Sequence, residues 1–478
     1  MTEPPATRQT TSRWWQWPVV ALLLAMAVMF TLRWSTGIAE RPPRWDERYV
    51  RVPIDDIIRD GWSMRTALDF EETKGPALIW PFAIVGKWLG GTLGDLRLVS
   101  LLWLVVGLIP LLAIADRCGI RGPPLVAVTG LYLLMPQQAV LGQLLMSETI
   151  FVTGTLALIW IALVGLTTTP AGDERRRELT AILLYGTMLA ILLHLRVHAV
   201  ATAGAICLVA TMRSGVRSWP WWVATIVAGL LRLPLWLRWG GLVSPEYQYM
   251  HQIGGEGGDA LFGLFHPQNV AYLLAASAPW AALLGVAAWL AARKRASRVP
   301  IIVGAVVGCG IVLLFPPSME ARLALPPVVA DYAPRGELER YLGLAASLAR
   351  SVDATSFQTG VLAILAALGG GGLGALWLSP RKLRHSSQTT SGMELSTASG
   401  HLENDTLRLL AAMTFWTLVL GIGLYSLTDA FVVDRYLLPW AALLPILWWC
   451  RLPKTLLAVQ VLGLTLLCAG WTKSWLLR

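Results

Sequence analysis

The chain has 478 residues, of which 55% are hydrophobic and only 14% charged, with a mean hydropathy of +0.58. Soluble globular chains carry about a quarter charged residues, so this composition excludes an ordinary soluble domain and places most of the chain in lipid. The net charge of +10 is spread among short loops between apolar runs instead of gathered in one patch, which argues against nucleic acid and reads as membrane topology.

A spanning helix needs about 20 mostly apolar residues. The first run, Pro18 to Leu32, follows a basic tail with Arg8 and Arg13 and lacks a clear small-residue cleavage site, so an uncleaved first helix is expected after a cytoplasmic tail of residues 1–17. Residues 18–478 then form one transmembrane domain. The spacing predicts an all-α protein with about thirteen spans, near 18–36, 97–115, 123–141, 146–166, 179–194, 197–212, 219–237, 270–291, 299–315, 357–378, 408–428, 436–450 and 455–472.

Between the first two spans lies a loop, about 37–96, whose first part is dense in both acids and bases. The apolar stretch Pro76 to Gly90 inside it is too short to span and contains Lys87, so it is expected to lie along the membrane surface. Two further long loops are expected at about 238–269 and 316–356. Gly369 to Gly372 fall within a predicted helix, where they suit close packing, a hinge or a loosened helix end. A Ser-, Thr- and His-rich connector is expected at about 380–406.

Lys and Arg in short loops resist translocation. With a cytoplasmic N-terminus, each short cytoplasmic loop is basic: Arg117 and Arg121, Arg175 to Arg177, Arg213 and Arg217, Arg293 to Arg298, Arg381 to Arg384, and Arg451 with Lys454. The three long loops then share the opposite face. The 24 Trp, many at the ends of apolar runs (Trp34, Trp219, Trp221, Trp222, Trp239, Trp440, Trp448 and Trp449 among them), suit aromatic belts. Cys118, Cys207, Cys309, Cys450 and Cys468 have no ligand-like spacing and suggest neither disulfides nor zinc.

Charge on the long-loop face is where chemistry is expected. Asp46 and Glu47 follow the first helix closely, between Trp45 and Tyr49, where a carboxylate can deprotonate a hydroxyl or hold a metal. Lys74, Arg97, Glu148, Arg196, His198, Glu320, Arg322, Asp434 and Arg435 lie within or beside apolar runs on the same face. Ionisable groups at membrane boundaries are costly unless paired, hydrated or used, so together they suggest a polar cavity able to hold an anion. Lys74, Arg196 and Arg435 suit a phosphate best. His194 and His198 are four apart but lack an identified third metal ligand, and no P-loop, GxSxG or HExxH motif occurs.

Several of these segments resemble a known family. Asp46-Glu47-Arg48-Tyr49, Gly61-Trp62, Glu72-Thr73-Lys74-Gly75-Pro76, Gly94-Asp95-Leu96-Arg97, Met146-Ser147-Glu148, Leu195-Arg196-Val197-His198 and Asp434-Arg435-Tyr436-Leu437-Leu438-Pro439 are similar, in order and spacing, to polyprenyl-phosphate-sugar-dependent glycosyltransferases of the GT-C fold. The branch is that of the protein O-mannosyltransferases and the lipid A aminoarabinose transferase. Gly75 stands where many relatives carry Pro, and Glu148 where relatives often carry Asp.

The resemblance implies inverting transfer of a sugar from a polyprenyl phosphate to a lipid, glycan or protein acceptor. Asp46 would be the base or acceptor-orienting carboxylate and Glu47 its support. Lys74, Arg196, Arg435 and Tyr436 would bind the donor phosphate, with Arg97, Glu148, His198, Glu320 and Arg322 as further candidates for the polar cavity. A divalent metal is compatible with such a site, and no nucleotide cofactor is expected. Membrane lipids are the surroundings, and a bacterial inner membrane with the site on its outer face is the expected location. The competing readings are a transporter or flippase of a lipid-linked or anionic substrate, and a non-catalytic scaffold.

Overall fold

The computed structural model of the chain describes residues 16–43, 46–63, 75–167, 174–240, 266–292, 297–317, 355–377, 395–427 and 437–475. Every regular element among them is helical. In lipid an apolar run can satisfy its backbone only by helical or closed-barrel pairing, which is why the thirteen expected segments are largely helical in their described parts, several of them with breaks.

Helix α1 (Gln16–Thr36) leads through a short turn to α2 (Asp46–Asp60), α3 (Ile79–Leu89) and α4 (Leu93–Arg117). Then come α5 (Pro124–Leu133), α6 (Pro136–Leu141), α7 (Ser147–Thr167), α8 (Glu174–Leu195), α9 (Ala199–Ser214), α10 (Trp219–Leu230) and α11 (Leu233–Trp239). The remainder comprises α12 (Pro267–Ala276), α13 (Ala278–Ala291), α14 (Val299–Leu314), α15 (Thr355–Trp377), α16 (Leu395–Ser426), α17 (Leu438–Ala441), α18 (Leu444–Arg451) and α19 (Lys454–Trp475).

By length and hydropathy, seven helical segments are able to cross a bilayer, or eight if α12 and α13, bent by 68°, form one span. One of the seven is the 41-residue stretch Ala199–Trp239, long enough for two crossings. The expected count of about thirteen is therefore not established: α5, α14 and the apolar part of α19 are helical but shorter than a full span, and α17 and α18 are fragments.

Helices α2 and α3 give the first loop a solid form. Val50 and Ile54 of α2 are fully buried, and Ile79, Phe82 and Ala83 of α3 are buried as well. The outer side of α3 leaves Ile84 and Trp88 exposed, which suits a helix lying on a lipid surface. Trp62, just beyond α2, meets Trp80 edge-on at 4.8 Å. Thr92 and Asp95 form a reciprocal capping box that starts α4.

Glycines bring α13, α14 and α15 into backbone contact. A Cβ on Gly304 would overlap the Gly370 carbonyl and one on Gly370 the Gly304 carbonyl, while Gly308 lies equally close to Ala366 and Gly374 to Pro300. On its other side α15 sets Gly372 against Ala281 and Gly369 against Leu274. The Gly369 to Gly372 run thus serves close packing, the first of its three expected uses, in an unbroken helix.

Two expectations are corrected. Trp221, Trp440 and Trp448, read as belt residues, are fully buried, and Trp448 donates to the Trp280 carbonyl at 2.9 Å inside the core. Trp34 and Trp219 do face outward. The connector at 380–406 is partly helix: α16 begins at Leu395, and residues 378–394 lie outside the described residues.

Candidate functional site

Arg97, in the first turns of α4, is wholly buried and ion-paired to Glu47 of α2. Its Nε donates to Glu47 Oε1 at 2.8 Å and its Nη2 to Oε2 at 2.6 Å. Nη1 donates to the carbonyls of Ile38 and Arg41, and Nη2 also to Pro42. A guanidinium has five N–H donors, and all five are used. Arg97 therefore fixes the chain between α1 and α2 and has no donor left for a ligand.

Glu47 Oε1 also accepts the Leu145 N–H at 2.7 Å, which attaches the start of α2 to the segment entering α7. Glu47 is thus an anchor that ties the start of α2 to α4 and to the segment entering α7. Asp46 is the first residue of α2, directly before this anchor.

The segment entering α7 is held from its other side by Arg196. Arg196 Nη2 donates to Glu148 Oε1 at 2.7 Å and Nε donates to Ser147 Oγ at 3.0 Å, with the Phe151 ring 5.9 Å away. The pair is 10% and 3% exposed, so it is only slightly hydrated. Arg196 sits where α8 ends and α9 has yet to begin, a break that leaves carbonyls without helical partners. One of them, Leu195 O, accepts the Gly75 N–H at 3.0 Å, which docks the end of the first loop on the same break.

His198 directly precedes α9 at that break and stacks on Tyr425 of α16, centroids 4.7 Å apart. Burial first, then the Arg196 and Arg232 guanidiniums, push its imidazole down to about 3, so it is neutral at ordinary pH. A small, partly open groove runs from His198 and Phe151 along Thr417, Gly421 and Tyr425 to Trp440. Its lining is mostly apolar.

Arg232, in the break between α10 and α11, is 2% exposed. Its Nε and Nη1 have no hydrogen-bond partner among the described residues, and Trp239 faces its guanidinium at 5.4 Å. A buried cation in such a state is costly unless something anionic meets it. Its signal in the sequence is an arginine inside the apolar run Leu230-Leu231-Arg232-Leu233-Pro234.

The structure thus brings Glu47, Arg97, Glu148, Arg196 and His198 to one end of the bundle and adds Arg232. Of Asp46 only the backbone is described. Lys74, Glu320, Arg322, Asp434, Arg435 and Tyr436 lie outside the described residues. Among the described residues no three His, Cys, Asp or Glu side chains converge as a metal site, and His194 and His198 stand on different helices' ends instead of one helical face.

No family model and no curated protein matches the chain. Solved structures do. The chain is similar to ArnT from Cupriavidus metallidurans bound to undecaprenyl phosphate, at 16% identity over 95% of this chain and 76% of that one, with a TM-score of 0.41. It is also similar to the Archaeoglobus fulgidus oligosaccharyltransferase in its apo form, at 12% identity and a TM-score of 0.45, over 95% of this chain and 56% of that one. A complex of the same archaeal enzyme, AglB, with an inhibitory peptide and a dolichol-phosphate matches at 11% identity and a TM-score of 0.32, over 87% of this chain and 56% of that one. At such identities residue roles do not transfer.

Proposed function

We propose that the chain is an integral membrane glycosyltransferase of the GT-C type, moving a sugar from a polyprenyl phosphate to an acceptor at the outer membrane face. The observation that carries this reading is the double hold on the segment entering α7. Glu47 binds Leu145 at 2.7 Å from the side of Asp46, and Arg196 binds Ser147 and Glu148 from the other. Glu47 of α2 and Arg196 are thereby tied to the same short segment, Leu145 to Glu148, beside an apolar groove.

In this reading the acceptor oxygen attacks the anomeric carbon, the bond from that carbon to the phosphate oxygen breaks, and the lipid phosphate leaves. Asp46 takes the acceptor proton or orients the acceptor. Arg232 and Arg196 meet the negative charge that grows on the leaving phosphate, with Lys74, Arg435 and Tyr436 as further donor ligands, and preorganised cations in a dry site act more strongly than in water. The groove from His198 to Trp440 suits part of an isoprenoid tail. A divalent metal would require carboxylates from segments beyond those described.

The second reading is transport. The 68° bend between α12 and α13 favours it, since discontinuous helices are the usual site of transported ions and solutes. One experiment separates the two. Purified protein is given a radiolabelled polyprenyl-phosphate sugar and a mixture of acceptors, and reconstituted vesicles are assayed for uptake. Transfer by the wild type that is lost in Asp46→Asn supports the transferase, and uptake with no transfer would sink it.

A further inference from the structure

Gly75 stands where many members of the family the sequence resembles carry proline, and its surroundings give a physical reason for glycine. Its backbone is extended, at φ −67° and ψ 166°, so the glycine is not there for a left-handed turn. It is there for closeness. A Cβ at this position would overlap the His194 carbonyl oxygen and press on the His194 carbonyl carbon, both backbone atoms that no rotamer change can move aside. The Gly75 N–H, which proline lacks, donates to Leu195 O at 3.0 Å across a separation of 120 residues.

We infer that Gly75 is a positioning residue, a latch that seats the end of the first loop directly on the α8–α9 break and so fixes the distance between that loop and Arg196. Two independent features converge on this: the hydrogen bond needs an N–H, and the close approach needs the absence of a side chain. Proline removes both and alanine removes the second. The turn Pro76–Leu78 and helix α3 follow immediately, so the latch also sets where α3 begins. The inference rests on the proposed donor site, because Arg196 is a phosphate ligand only in that reading.

The test uses the full-length protein in detergent micelles, Gly75→Ala and Gly75→Pro, and undecaprenyl phosphate as probe. Backbone hydrogen exchange over residues 75–89 is expected to speed up in both variants while α4 and α9 keep their protection, and the affinity for undecaprenyl phosphate is expected to fall about tenfold or more in Gly75→Pro. In the wild type, adding the lipid phosphate is expected to slow exchange at Gly75, a readout that needs no variant to fold. Faster local exchange with undiminished affinity would leave a purely structural contact and overturn the positioning role. Unchanged exchange in both variants, or no lipid effect at Gly75 in a wild type that binds the lipid, would overturn the latch while the proposed function stands. Failure of the wild type to bind undecaprenyl phosphate would overturn both, and the exchange data would still show whether the contact exists.

Discussion

Glu47 and Arg97, fifty residues apart, form a fully buried two-pronged ion pair in which each carboxylate oxygen receives one guanidinium N–H. Removing one partner of such a pair leaves the other charge buried and alone, at a cost of about 3–5 kcal/mol. Glu47→Ala and Arg97→Met are each expected to lower the melting temperature in detergent clearly, and the double variant to recover part of the loss. Additive single effects in that double-mutant cycle would contradict the pairing.

Asp46 precedes this anchor and has a different expected signature. Asp46→Asn should reduce sugar transfer by about 100-fold or more, the usual range for loss of a general base, with little change in melting temperature or in binding of a polyprenyl phosphate. Transfer at the wild-type rate would remove Asp46 from the chemistry.

Arg232 should separate stability from function. Its buried guanidinium lacks partners at Nε and Nη1 among the described residues, so Arg232→Met is expected to hold or raise the melting temperature while weakening polyprenyl-phosphate binding about tenfold or more. A variant that melts earlier and still binds normally would make Arg232 a structural residue.

The pH dependence follows from His198. With its imidazole held near 3, below its free value, the unfolded chain takes up a proton first as the solution is acidified. His198 therefore costs nothing above about pH 6.5 and erodes stability as pH falls from there toward 3, by at most about tenfold in the folding equilibrium per pH unit. Melting curves from pH 7.5 to 4.5 should be flatter for His198→Gln than for the wild type, and parallel curves would count against a neutral, enclosed imidazole.

Glycine positions provide an internal control for helix packing. Gly370→Leu, facing the Gly304 carbonyl, is expected to separate α14 from α15 and reduce the yield of folded protein sharply, whereas Gly229→Ala, with nothing within 4 Å of its added carbon, is expected to be tolerated. Equal tolerance of both would refute the close approach.

How far the sequence is legible differs by element. The helices followed from apolar run length, because lipid leaves the backbone few other choices. The helix within Pro76 to Gly90 followed from an apolar run too short to span, and α3 has 11 residues with one outward apolar side. The roles of charges did not follow. Arg97 and Arg196 look alike in sequence as basic residues near an apolar run, yet one spends every donor on its own chain and the other shares a slightly hydrated pair with Glu148. That difference depends on which carbonyls and carboxylates folding brings within 3 Å, which no local pattern encodes. Arg232 is not legible for the complementary reason, since a lone cation between apolar residues becomes informative only once its neighbours among the described residues are seen to include no acid. Trp440 and Trp448 misled because the end of an apolar run and the centre of a packed core call for the same residue type.

The five-donor arrangement at Arg97 also acts as a crosslink. All five cysteines are free thiols, so no disulfide closes the first loop, and the guanidinium performs that closure by binding the 38–47 segment onto α4. A noncovalent staple of this kind is indifferent to thiol reagents and to the redox state of the compartment. The closure of the first loop should accordingly survive strong reductant unchanged, and the protein should need no oxidative folding machinery to make it.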